Sequence, residues 1–213
     1  MSVNHARAER AALCDLFEEV GPDAPTLCEG WTTYDLAAHL VLREGRLDAA
    51  PGIAVKPLAG YTASVQRGLR TRFSYAELVD QVRQGPPRLS PYRLVPGLDA
   101  AVNTMEFFVH HEDVRRARPD WQPRVLDPGL SDLLWNRLRL GGRALLRRVP
   151  AGAVLRRPDG VAAGVKKAEP HVVIEGEPQE LLLYAFGRKD HARVDLKGDE
   201  EAIRRLTATP LSL

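Results

Sequence analysis

The chain has 213 residues, 44% of them hydrophobic and 27% charged, with a formal net charge of +2. This is the make-up of a globular protein of one large domain, or one domain with a small appendage, and it argues against a disordered or polycationic chain. No apolar run approaches the ~20 residues that span a bilayer, Met1 to Val20 carries charges throughout and lacks the apolar stretch of a signal peptide, and Cys14 and Cys28 have neither zinc-ribbon nor disulfide-framework spacing.

The expected setting is therefore the cytoplasm, with no membrane partner and both thiols buried as structural groups. Five of the 30 basic residues are lysine and the rest arginine. Acidic residues are interspersed among them, so pairs such as Arg115-Arg116 and Arg147-Arg148 read as solvated helix faces. No nucleic-acid partner is expected.

Taken in chain order, the first predicted helix covers about 3–20, with Leu13, Leu16, Phe17 and Val20 on one face, and ends at Gly21-Pro22. Thr32 and Asp35 form a near capping box for a second helix reaching about Ala50 and stopped by Pro51-Gly52. A third helical stretch covers about 58–72. Ser74 and Glu77 repeat the capping-box spacing and open a helix that ends at Gly85-Pro86. Four prolines make 86–97 an extended loop. A helix over about 98–117 follows, with Leu98, Val102, Met105 and Val109 expected to face a core. Asp127-Pro128 opens a last long helix through Leu145 despite Gly141-Gly142 in its middle. Beyond Pro150 the texture changes. Residues 153–155, 171–174 and 193–196 read as strands, Glu177 to Phe186 as a helix, and Asp199 as the cap of a short helix to Leu206. The expected fold is α+β, an antiparallel four-helix bundle over 1–150 and a small α/β domain over 151–213.

Glu106-Phe107-Phe108-Val109-His110 carries the most chemistry. A carboxylate and an imidazole four residues apart lie about 40° apart on a helix at ~100° per residue. With Asn103 and Asp113 they form a polar stripe beside apolar residues. A third candidate, His39, stands within the apolar segment Leu36-Ala37-Ala38-His39-Leu40-Val41. A solvated stripe and a core histidine are the plainer readings of each feature alone. Together, two helices supply three N/O donors and leave a coordination position open, as a catalytic divalent-metal site does. The donor set suits zinc, nickel or another borderline ion. His111, about 100° around the helix, points elsewhere, and His5, His171 and His191 have no companions.

Trp31-Thr32-Thr33-Tyr34-Asp35-Leu36-Ala37-Ala38-His39-Leu40, followed by Glu106-Phe107-Phe108-Val109-His110-His111-Glu112-Asp113-Val114, resembles the DinB-like metal-binding bundle, and more narrowly the mycothiol-dependent maleylpyruvate isomerase group. The resemblance continues through Gly176 to Leu181, Phe186-Gly187-Arg188 and Leu196 to Asp199 in the tail. It implies a four-helix bundle that holds a divalent metal, typically zinc, on His39, Glu106 and His110. It implies an active-site role for Arg188 and mycothiol as thiol cofactor. The short tail and the proline-rich 86–97 segment depart from the isomerase pattern and leave the substrate open.

The expected function is metal-dependent thiol transfer or isomerisation of a small electrophilic molecule. Metal-assisted hydrolysis and a non-enzymatic binding module with a structural metal are the alternatives. The oligomeric state is open between monomer and homodimer.

Overall fold

Asn4 caps the first helix, α1 (His5–Val20), by accepting a hydrogen bond from the Arg7 amide at 3.1 Å, and Gly21 ends it at φ 79°. The computed structural model describes residues 4–88, 90–95 and 97–211, so Val3, the predicted start of this helix, lies outside the described residues. The predicted capping box opens α2 (Thr33–Gly45), where the Thr32 amide and hydroxyl both donate to Asp35 Oδ2 at 3.0 Å. This helix stops at Gly45, short of the expected Ala50, and a 3-10 turn, Ala50–Ile53, follows. The Pro51 ring would clash with the carbonyl four residues upstream, so the helix must end before it.

The helices α3 (Ala59–Arg72) and α4 (Tyr75–Gln84) fall where the sequence puts them, the second capped reciprocally by Ser74 and Glu77. The expected extended loop over 86–97 is interrupted by a short helix, α5 (Pro91–Leu94), since proline is tolerated in a helix's first turn. Leu89 and Pro96 lie outside the described residues. Then comes α6 (Leu98–Arg115).

α1 packs on α6 and α4, and α2 packs on α3 and α4. Leu13, Phe17, Leu36, Leu40, Leu78 and Phe107 fill the space between them. The core face of α6 is not the expected one. Val109 is buried, but Val102 is exposed, Met105 is half-buried, and Phe107 and Phe108 fill the core instead. The reason is that α6 also buries polar side chains, among them Asn103, His110, Glu112 and Asp113. Its apolar residues therefore follow no single stripe.

The packing divides the chain between Gln122 and Pro123. The sequence reading sets this boundary at 150 and groups the last long helix with the bundle. That helix, α7 (Pro128–Leu145), instead packs on α8 (Pro178–Ala185) and on β2 (Ala162–Lys166). Periodicity reveals an apolar face but not whether a helix or a sheet covers it. The sheet has the order β2-β1-β3-β4, with β1 (Gly152–Arg156) parallel to β3 (His171–Glu175) and both outer pairs antiparallel. β2 was not anticipated, because Ala-Ala-Gly-Val-Lys has little strand propensity and is held by its pairing with β1. β4 (Asp195–Gly198) lies two residues beyond the expected strand, and Asp199 caps α9 (Glu200–Ala208) as expected. Among the described residues no helix is long and apolar enough to cross a membrane.

Gly187, which precedes Arg188, has φ 88°, and a Cβ there would overlap the Leu211 carbonyl oxygen. Gly187→Ala is expected to destabilise the protein by roughly 2 kcal/mol or more, since it combines left-handed strain with a clash against backbone. Urea unfolding followed by circular dichroism tests this, and an unchanged midpoint would contradict it.

Candidate metal centre

His39 leaves α2 from the turn after the capping box, and Glu106 and His110 leave α6 one turn apart. Their donor atoms all lie within 4.8 Å of one another. Glu106 Oε1 is 3.3 Å from His110 Nε2 and 3.9 Å from His39 Nε2. The two imidazoles meet edge to face with centroids 5.5 Å apart. Trp31 covers the other side of His39, ring centroids 5.0 Å apart. Both histidines are buried. Donors of a tetrahedral shell with ~2.1 Å bonds stand about 3.4 Å apart. The observed separations fit such a shell without rearrangement of the helices.

Each donor is itself held. His110 Nδ1 lies 2.9 Å from Oδ2 of the fully buried Asp113, the geometry of an N–H donating to a carboxylate. That bond fixes the ring and leaves Nε2 as the nitrogen that faces Glu106 and could take a metal once its proton is lost. Arg43, one turn after His39, puts Nε 3.2 Å from Glu106 Oε1 and donates also to Asn103 Oδ1. Asn103 in turn donates to Glu44 at 2.8 Å and Asp99 at 2.7 Å, and Arg10 bridges those two carboxylates. The sequence reading missed Arg43. The i+4 spacing that pairs Glu106 with His110 would have found it beside His39.

The two thiols differ. Cys14 is a buried core group, its thiol pushed by burial up to about 12. Cys28 is not the buried structural thiol expected. It is half-buried, with Sγ 3.3 Å from Asp113 Oδ2 and 3.9 Å from His110 Nδ1. Its loop is tied to α6 by the Leu27 amide, which donates to the Asp113 carbonyl at 3.0 Å. Only tertiary folding joins a loop residue to a helix in this way.

The charges of this cluster oppose one another. Burial pushes the His39 pKa down, so its ring is neutral near pH 7. Burial also opposes protonation of His110, but hydrogen bonds to Asp113, Cys28 and Glu106 and the Glu106 charge outweigh it and hold the pKa well above the ordinary value. Burial likewise opposes ionisation of Glu106. The hydrogen bonds with His110 and His39 and the charges of His110 and Arg43 win, and the carboxyl stays well below its usual range. At pH 7 the metal-free site thus holds an anionic Glu106, a neutral His39 and a cationic His110. A metal must displace the His110 proton. Binding near pH 7 is expected to release about one proton, and affinity to fall about tenfold per pH unit below the His110 pKa. Titration calorimetry in buffers of different ionisation enthalpy measures this. Zero proton release from pH 5 to pH 8 would contradict it.

His111 faces away, its Nδ1 3.0 Å from Glu9 Oε2, and borders a separate cleft of about 560 Å³ with Asp15, Glu19, Arg115 and Trp121. Arg188 lies in the second unit, half-buried, with Nη1 donating to the Phe186 carbonyl at 2.6 Å.

A helical bundle bearing a His, Glu and His cluster on two of its helices, followed by a small four-stranded α/β unit, is the DinB-like fold. The chain belongs to the mycothiol maleylpyruvate isomerase N-terminal domain family, which it matches over residues 3–141. It is similar to the crystal structure of the mycothiol-dependent maleylpyruvate isomerase, with 16% sequence identity, a TM-score of 0.55, and coverage of 91% of this chain and 90% of that one. A histidine-to-alanine mutant of that isomerase matches at 14% identity and a TM-score of 0.56 over the same shares. At these identities the likeness is one of fold. No curated protein sequence gives a significant match.

Proposed function

We propose that the protein holds a divalent metal ion, zinc in the first place and nickel or another borderline ion as alternatives, on His39, Glu106 and His110. It would serve the chemistry of a low-molecular-weight thiol such as mycothiol, as a transferase or isomerase acting on a small electrophile in the cytoplasm. The convergence of two imidazole nitrogens and a carboxylate oxygen within 4.8 Å carries this reading, and membership of the mycothiol maleylpyruvate isomerase family supports the choice of thiol.

When bound, such an ion supplies the positive charge that lowers a thiol's pKa and makes a thiolate nucleophile available at neutral pH. The side chains have separable tasks. His39 contributes a ring nitrogen that burial keeps neutral. His110 contributes Nε2, its ring aimed by Asp113. Glu106 contributes a negative charge, and Arg43 holds that carboxylate in place. Trp31 packs against His39 and keeps water from that side. Arg188 is the group proposed to hold a carboxylate of substrate or cofactor, a task that suits its planar fork. A thiolate that adds to an electron-poor carbon and stays accomplishes transfer; one that adds and departs again accomplishes isomerisation. The same donors serve either outcome. Three donors make up this group among the described residues, and Cys28 and Asp113 form a second cluster with the same His110; an open fourth position is part of the catalytic reading.

The test is to incubate zinc- or nickel-loaded protein with mycothiol and a panel of unsaturated oxo acids and other electrophiles, following products by mass spectrometry. Product formation that requires both metal and thiol is expected. Metal-dependent product without thiol would make the protein a hydrolase. Tightly held metal with no product from any electrophile would make it a binding module.

A further inference from the structure

Within the second unit, α7 presses closely on the edge strand β2. A Cβ on Gly142 would stand 2.9 Å from Val165 Cγ1 and 3.3 Å from its Cβ, so only glycine lets the helix come this near. The close approach accounts for Gly142, whereas a Cβ on its neighbour Gly141 would meet open space. It also sets the next face of α7 against the end of β2, and a cleft of about 630 Å³ opens between them. Arg139 and Arg143, one turn apart on α7, and Arg147, in the turn just past its end, line one wall, and Lys166 at the end of β2 and Lys167 after it line the other. Among the described residues no acidic side chain lines this cleft; Glu169 belongs to the neighbouring hollow on the far side of Lys166 and Lys167, where it pairs with His171.

Many arginines elsewhere in the chain are matched, although Arg7, Arg67, Arg72 and Arg137 stand singly on the surface without an ion pair among the described residues. Arg83 pairs with Asp15 and Glu18, and Arg157 with Asp132 and Asp159. Among the described residues Arg139, Arg143 and Lys167 form no ion pair. Lys166 is anchored, its Nζ donating to the carbonyls of Arg147, at 3.0 Å, and Val149 at the end of α7. An ordinary solvated face of this chain mixes both signs, and like charges one turn apart repel. Five cations without a counter-charge, facing one another across a concavity, form instead a place for a multiply charged anion. Its size suits a small molecule, and a concave wall suits a compact anion better than a membrane plane. Guanidinium forks match phosphate oxygens two at a time. Leu140, 75% exposed between Arg139 and Arg143, adds an apolar edge.

We propose that this cleft binds a small molecule bearing a chain of linked phosphates, with Arg139, Arg143 and Lys167 on the phosphate oxygens and Leu140 against any organic part. The site is independent of the metal centre and of the thiol chemistry proposed for it.

Calorimetric titration of the full chain with ATP, tripolyphosphate and AMP, in buffer of physiological ionic strength, tests the assignment. Saturable one-site binding of ATP or tripolyphosphate, at least about tenfold tighter than AMP, is expected. ATP binding more tightly than tripolyphosphate identifies a nucleotide as the source, through Leu140; equal binding identifies an inorganic phosphate chain. Arg139→Gln with Arg143→Gln should weaken binding at least about tenfold while the circular dichroism stays unchanged, and Arg137→Gln, outside the cleft, should bind as the parent does. Both arginines are exposed, so the double variant is expected to fold. No saturable binding, or binding that the double variant leaves intact, overturns the proposal. So does a DNA duplex that displaces ATP through the same two arginines with higher affinity.

Discussion

Replacing His39 with alanine is expected to weaken divalent-metal binding by more than about 100-fold while leaving the bundle folded. Loss of an orienting partner alone costs about 10–100-fold, and loss of a donor must cost at least as much. His39 comes from α2, whereas the other two donors share α6. Its removal therefore leaves a one-helix pair that cannot surround an ion. The fold should survive because the core runs through Leu13, Phe17, Leu36, Leu40 and Phe107, not through the imidazole. The cavity and the lost contact with Trp31 should cost about 1–3 kcal/mol. Metal content after dialysis, together with far-ultraviolet circular dichroism and a melting curve, gives the answer. Full metal content in a folded His39→Ala protein would dismiss the three-donor site.

Asp113→Asn is expected to produce the next largest effect, a loss of metal affinity of about 10–100-fold at pH values above the His110 pKa. The carboxylate is fully buried and accepts from His110 Nδ1 at 2.9 Å, so it makes the ring more basic as well as aiming it. The same bond helps hold the His110 pKa well above its ordinary value. Two consequences oppose each other. Above that pKa, the variant loses ligand strength and nothing offsets the loss. Below it, the parent protein must shed a tightly held proton before binding, and the variant sheds a looser one. The gap between the two proteins should therefore narrow as pH falls through the raised His110 pKa of the parent. Competition with a chromophoric chelator on both sides of that pKa measures both affinities. A gap that is constant with pH would mean that Asp113 acts only through shape. Cys28→Ser, which leaves the Asp113–His110 bond in place, should change affinity much less.

The cluster of His39, Glu106 and His110 was legible because its spacing is local on each helix. Glu106 and His110 share a face by helical geometry, and His39 stands out as a polar group in an apolar run. The rest of the site was less legible. Arg43 obeys the same i+4 rule from His39, yet arginine on a helix usually reads as a solvated charge. Cys28 sits in a loop whose path no periodicity describes. Its place beside Asp113 depends on the Leu27 amide bonding to a carbonyl of α6. The apolar face of α6 was misjudged at Val102 because a helix that buries acids and histidines as well as phenylalanines carries no clean stripe.

Local chemistry in the sequence determined the helix starts at Thr32, Ser74, Asp127 and Asp199, the stops at Gly21 and Gly85, and the Glu106–His110 pair. Each depends on groups within a few residues, where backbone geometry leaves little choice. Tertiary structure alone decided the partners. It brought His39 to Glu106, seated Arg43 on the same carboxylate, gave α7 to the sheet instead of the bundle, and made a strand of Ala162–Lys166. Those outcomes turn on burial between segments far apart in the chain, and a one-dimensional pattern records that a face is apolar or charged without recording what will cover it.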